Sequence, residues 1–127
     1  MGKGHAEITI DKAADAVWAV TGDFGGLGGW MPGIESCDVE GDDRLLKMMG
    51  MEITERLISR DDSTREIVYG IVAGVPVSSH RATITVTPEG SGSLVTWDVE
   101  VEPDDMTEMM QGIYQQSLQA LKDHLGA

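Results

Sequence analysis

Three polar side chains interrupt segments that are otherwise apolar on one face: Glu55 in MEITERL, Tyr69 in EIVYGIV and His80 in SHRATITV. Side chains two apart along a strand share a face. Met51, Ile53, Glu55 and Leu57 therefore lie together, opposite Glu52, Thr54, Arg56 and Ile58, and the first set is the more apolar. The same alternation groups Ile67 with Tyr69 and Ile71, and His80 with Ala82, Ile84 and Val86. It also groups Trp97 with Val99 and Val101, leaving Asp98, Glu100 and Glu102 outside. A carboxylate, a phenol and an imidazole on one oily wall can transfer protons or orient a bound molecule. Glu55 and His80 are thus the candidate catalytic acid/base groups. Burial would raise the pKa of Glu55 and a nearby cation would lower it, so its role depends on its partner. The structural alternative for Glu55 is a pair with Arg44, Lys47, Arg81 or ordered water, and for His80 a hydrogen-bonded place in the wall.

Other chemistries lack their residues. His5, His80 and His124 fall on separate elements without a ligand spacing such as HxxxH, so no metal is expected. No GxSxG is present, and the serines cluster in turns. Cys37 is the lone cysteine, which excludes an internal disulfide and a zinc cluster and suits a small core hydrophobe. The glycine-rich stretch DFGGLGGWMPG, Asp23 to Gly33, has no following Lys-Ser/Thr pair and no GxGxxG. A phosphate cradle is not expected there, and no cofactor is implied.

The elements that must hold these residues show a strand-and-turn grammar bracketed by helices. Residues 5–10 alternate with Ala6, Ile8 and Ile10 on one face; Asp11 is placed to cap a short helix that ends near Thr21-Gly22. Strands follow at 34–40, 44–50, 51–60, 65–72, 79–87 and 94–102, separated by the turn-rich EGDD, RDDST, AGVPVS and PEGSGS. Asp104 or Asp105 can cap a last helix carrying Met106, Met109, Met110, Ile113, Tyr114, Leu118, Leu121 and Leu125 on one broad apolar face, with Ser117 on the same side and Gly126 at its end. An α+β fold follows, in which a long C-terminal helix lies on one face of a seven-stranded curved antiparallel sheet. Space left between them would be a ligand cavity.

With 127 residues and 41% hydrophobic content, the chain suits one domain, 1–127, with one real core. Twenty-two acidic against nine basic residues give a net charge of -13, which disfavours nucleic acid and anionic membrane surfaces as partners. The acidic pairs Asp42-Asp43, Asp61-Asp62 and Asp104-Asp105 sit in turn-like positions, as on a solubilising surface. No stretch has the length of a signal peptide's apolar core or of a membrane span, so the expected location is the cytoplasm, as monomer or homodimer.

From AxxVWAVxxDFGGLGGWMPGI, through TERLISRDD and VTWDVEVEP, to YQQSLQALKDHL, the order of segments resembles the helix-grip proteins of the START and Bet v 1 (SRPBCC) superfamily, specifically the bacterial polyketide cyclase/dehydrase-like branch. The resemblance covers nearly the whole chain. It implies two short helices between strands 1 and 2 and a cavity gripped between the sheet and the last helix. It also implies that the glycine-rich segment forms a loop beside the cavity, with Trp30 and Pro32 closing it; the alternative is a purely structural tight connection. TERL followed by DD is similar to the matching strand of plant abscisic acid receptors, where the corresponding glutamate lines the pocket and contacts ligand through water. Those receptors close on SGLPA and HRL loops where this chain has MMGME and GVPVS, and their ligand-carboxylate lysine falls at Met31, so hormone sensing of that kind is not implied. Aromatase/cyclase relatives hold enolates with pocket arginines, and alternation alone assigns no arginine to the interior here.

The expected function is binding of a small hydrophobic molecule of polyketide, isoprenoid or lipid type. Trp30, Met31, Ile53, Glu55, Leu57, Tyr69, His80, Trp97, Val99, Met109, Met110, Ile113 and Ser117 are the candidate lining residues. The methionines, with their flexible thioethers, suit a permissive pocket or a loosely filled core. An enzyme of the polyketide cyclase/dehydratase type, using Glu55 or His80, is the alternative. A third is an interaction module whose cavity is filled by side chains.

Overall fold

A computed structural model describes residues 2–126. Seven antiparallel strands, β1 (Gly2–Ile10), β2 (Ile34–Glu40), β3 (Asp43–Met48), β4 (Met51–Asp61), β5 (Glu66–Ala73), β6 (Ser79–Glu89) and β7 (Gly92–Glu102), form one sheet in the order β1-β7-β6-β5-β4-β3-β2. From β2 to β7 the path is a meander of hairpins, and β1 closes against β7 with Ile10 opposite Ser93 and Gly2 opposite Val101. Helix α1 (Ala14–Thr21) and the 3-10 segment Phe24–Gly29 connect β1 to β2, and helix α2 (Thr107–Leu125, 19 residues) lies across the concave face. This is the helix-grip fold. Among the described residues no helix is long and apolar enough to cross a membrane.

The core follows the alternation. Ala6 and Ile10 of β1, Ala82, Ile84 and Val86 of β6, and Val95, Trp97, Val99 and Val101 of β7 are buried on the face that meets α2. From the helix come Met110, Tyr114, Ser117, Leu118 and Leu121, spaced by threes and fours, so that one stripe covers the sheet. The stripe ends where Gly126, at φ 71°, takes the left-handed conformation that caps a helix at low cost.

Two helix starts differ from expectation. Helix α1 begins three residues beyond Asp11, with Ala13 at its cap position and no capping side chain. A short 3-10 turn, Asp104–Met106, precedes α2, so the cap position of that helix falls on Met106, not on Asp104 or Asp105. In both places packing of the apolar stripe decides the boundary over capping preference, since a cap contributes only about 1 kcal/mol. The acidic turns are also more than a solvated surface. Asp43 accepts from Arg56 at 2.8 Å, Asp61 ties the turn at Ser63, and Asp62 accepts the Trp18 indole N–H at 2.9 Å.

Candidate functional site

Between the concave face and the first turns of α2 lies a cavity of about 170 Å³. Its walls are Leu27 of the 3-10 segment, Leu46 of β3, Ile53 of β4, Ile71 of β5, Val75 and Ile113. Six methionines, Met31, Met48, Met49, Met51, Met109 and Met110, also line it, and of these Met49, Met51 and Met109 are exposed at the mouth. Met49 and Gly50 form the two-residue turn that joins β3 to β4, both with positive φ (49° and 78°). Polar groups enter the lining at Glu55, Tyr69 and Tyr114.

Glu55 owes its place to the β3–β4 hairpin. Pairing of Met48 with Met51 continues inward to Leu46 with Ile53 and Arg44 with Glu55, and all four inner residues of those last two pairs are buried. Arg44, only 4% exposed, donates from Nε and Nη2 to the same oxygen, Oε1 of Glu55, at 2.8 and 2.7 Å. Its Nη1 donates to the carbonyl of Phe24 at 2.9 Å, and its guanidinium lies 4.2 Å from the Phe24 ring centre and 4.8 Å from that of Tyr69. The sheet is thereby tied to the 3-10 segment. Desolvation pushes the Glu55 pKa above its ordinary value, against the pull of Arg44. Arg44 is permanently charged, and protonating Glu55 would leave a buried cation unpaired, so the carboxylate form holds at neutral pH. Oε2 of Glu55 accepts no hydrogen bond from the described residues.

Behind the cavity runs a chain of polar rings. The Trp97 indole N–H donates to the Tyr69 hydroxyl at 3.1 Å, and the Trp97 and Tyr114 rings stack 4.2 Å apart, 4° from parallel. Nδ1 of His80 accepts the backbone N–H of Ile71 at 3.2 Å. Burial lowers the His80 pKa to about 4, so at neutral pH the ring is uncharged and carries its one proton on Nε2. That nitrogen lies 2.9 Å from the Tyr114 hydroxyl and donates to it. Burial also pushes both tyrosine pKa values up, so both phenols keep their protons.

The structure brings Met31, Ile53, Glu55, Tyr69, Met109, Met110 and Ile113 to the cavity. It places the other candidates elsewhere. His80 and Trp97 stand behind the two tyrosines, Val99 packs in the core, and Trp30 is buried against Trp97 with ring centres 6.1 Å apart. Leu57, partly buried against the core, borders a separate cleft with Phe24, Val39 and Arg60. The Ser117 hydroxyl is spent on the carbonyl of Ile113 at 2.7 Å, and Pro32 lies with Ser117 on a neighbouring groove. Arg44 and Tyr114 are the functional residues that sequence reasoning did not assign. Arg44 appears there only as one of three possible partners for Glu55, and Tyr114 only as part of the helix stripe. A two-residue turn at Met49-Gly50 is the signal that identifies Arg44, since it sets Arg44 directly opposite Glu55.

A model of the family described as polyketide cyclase / dehydrase and lipid transport matches residues 1–126. The chain belongs to that family. The chain is 30% identical to XoxI from Bacillus cereus, with a TM-score of 0.92 over 97% of this chain and 94% of that one. It is 29% identical to an uncharacterised protein from Bacillus thuringiensis, with a TM-score of 0.88 over 96% and 97%. The family's fold extends to the di-domain ARO/CYC BexL of the BE-7585A biosynthetic pathway, at 19% identity and a TM-score of 0.84, where 99% of this chain covers 47% of that one. No curated protein matches.

Proposed function

We propose that the protein binds a small hydrophobic molecule in the cavity between the curved sheet and α2. One observation carries this reading: an apolar space of about 170 Å³, open at a methionine rim, with its polar groups confined to Glu55, Tyr69 and Tyr114. An apolar cavity of about 150 Å³ is enough to hold benzene, so the size supports a ligand of one or two rings. Such a volume is small for a folded polyketide chain, and His80 has both ring nitrogens engaged away from the cavity. The volume, and the absence of His80 from the cavity lining, favour binding over a cyclase that uses His80. The enzyme reading keeps one support, Oε2 of Glu55, which accepts no hydrogen bond from the described residues and could take a substrate proton.

The test combines native mass spectrometry, solvent extraction and thermal shifts with single-ring aromatic compounds, on the natural protein and on Ile113→Trp, which fills the cavity. A ligand that binds the folded state raises its melting temperature. The expected result is a shift in the natural protein that Ile113→Trp abolishes while leaving the fold intact. Absence of any bound or stabilising apolar molecule would overturn the reading. Turnover of a bound compound, lost in Glu55→Gln, would convert it to the enzyme reading.

A further inference from the structure

The hydroxyl protons around the cavity can be counted. Tyr69 Oη accepts from Trp97 and Tyr114 Oη accepts from His80, so neither tyrosine spends its own proton in those bonds. At most one of the two protons can be used between the hydroxyls themselves, since only one of them can donate to the other. At least one O–H is left over, on side chains that both line the cavity. In the same lining, Oε2 of Glu55 accepts no hydrogen bond from the described residues, because Arg44 directs both of its bonds to Oε1. An apolar space thus presents at least one unused donor and one unused acceptor, which a polar group of a bound molecule can answer. A carbonyl oxygen would answer only the donor. An amine would answer only the acceptor and would set a second cation beside Arg44. A carboxylate would meet the charge of Glu55. A hydroxyl group answers both, accepting from the tyrosine and donating to the carboxylate.

We infer that the cavity selects a neutral one- or two-ring alcohol or phenol, held by its hydroxyl between the Tyr69–Tyr114 pair and Oε2 of Glu55. This inference rests on the proposed binding function and narrows it to a ligand class.

The test uses four probes of equal carbon number at neutral pH: para-ethylphenol, acetophenone, ethylbenzene and para-toluate, titrated by calorimetry and by thermal shift. The expected order is para-ethylphenol first, about tenfold tighter than ethylbenzene, with acetophenone between them and para-toluate not bound. In the Tyr69→Phe/Tyr114→Phe double variant the preference for para-ethylphenol over ethylbenzene should shrink to within about threefold while ethylbenzene still binds. The probe series on the natural protein decides the question even if that variant fails to fold. Equal binding of the phenol and the hydrocarbon would overturn the ligand class and leave the hydrophobic-cavity reading standing. Tightest binding of acetophenone would also overturn it, by showing that only the donor is used. A phenol preference that persists in the double variant would remove the tyrosines from the assignment. Binding of none of the four would overturn both readings.

Discussion

Acidification should destabilise the protein through His80. The ring is 8% exposed, and its pKa is lowered from 6.5 to about 4 by desolvation. The unfolded chain therefore takes up a proton at a pH where the folded chain refuses it. The resulting stability is fully present above 6.5 and is lost as pH falls toward 4. At about 1.36 kcal/mol per pH unit, that gap comes to about 3 kcal/mol. The local consequence is also defined. Pairing of β5 with β6 runs from Glu66 opposite Thr85 to Tyr69 opposite Ala82, and beyond it the Ile71 N–H is satisfied by the imidazole instead of by a strand carbonyl. Protonating Nδ1 would set two donors against each other at that point. Urea denaturation between about pH 7.5 and pH 4.5, on the natural chain and on His80→Gln, separates this group from the many carboxylates that titrate in the same range. The stability advantage of the natural chain over the variant should shrink by about 2 to 3 kcal/mol across that range. A constant advantage, or an imidazole that titrates by NMR near its ordinary pKa, would refute the reasoning.

Three further substitutions have defined outcomes. Arg44→Met should cost about 3–5 kcal/mol in urea denaturation by stranding the buried Glu55 carboxylate, whereas Arg44→Met with Glu55→Leu should recover much of that loss; equal cost in the two variants would show that the pair is not what matters. Met49→Asn should raise the unfolding free energy measured in urea by about 0.5–1 kcal/mol, because Met49 holds φ 49° in a turn that favours asparagine at that position; unchanged or lower stability would mean that the thioether's contacts outweigh the strain. Gly74→Ala should cost more than about 2 kcal/mol, since a Cβ there would lie 2.0 Å from the carbonyl oxygen of Glu52, on a backbone at φ 95°; a neutral effect would mean that the two strand ends separate freely.

Period-two alternation carried the inner faces of β4 to β7 from sequence to structure, including Ile53 with Glu55, Tyr69, and His80 through Val86, because burial on one face makes a one-residue slip costly. What alternation could not supply was register. Met49-Gly50 lacks the Asn-Gly or Asp-Gly signature of a two-residue hairpin, and only that turn sets Arg44 opposite Glu55. Leu57 keeps the inner face and packs against the core but borders a different cleft, because alternation gives the face of a strand residue and not which space along that face it meets. His80, Trp97 and Val99 were correctly turned inward, yet facing inward is not the same as reaching the cavity. Tyr69 and Tyr114 stand between it and the first two, and which side chains stand in front depends on helix packing that no single segment encodes.

The pairing of β1 with β7 also bears on how the chain is made. Residues 2–10 are made before the rest of the sheet, yet among the described residues their strand partner is residues 93–101, and α2 is made after that. The β2–β7 meander can close hairpin by hairpin as it emerges, because those contacts are local. During that interval the concave apolar face has no helix on it and β1 has nothing to pair with. The nascent chain is therefore most prone to self-association in the interval before α2 is made. Stops or truncations between about residues 103 and 118 should release aggregation-prone chains rather than partly active ones.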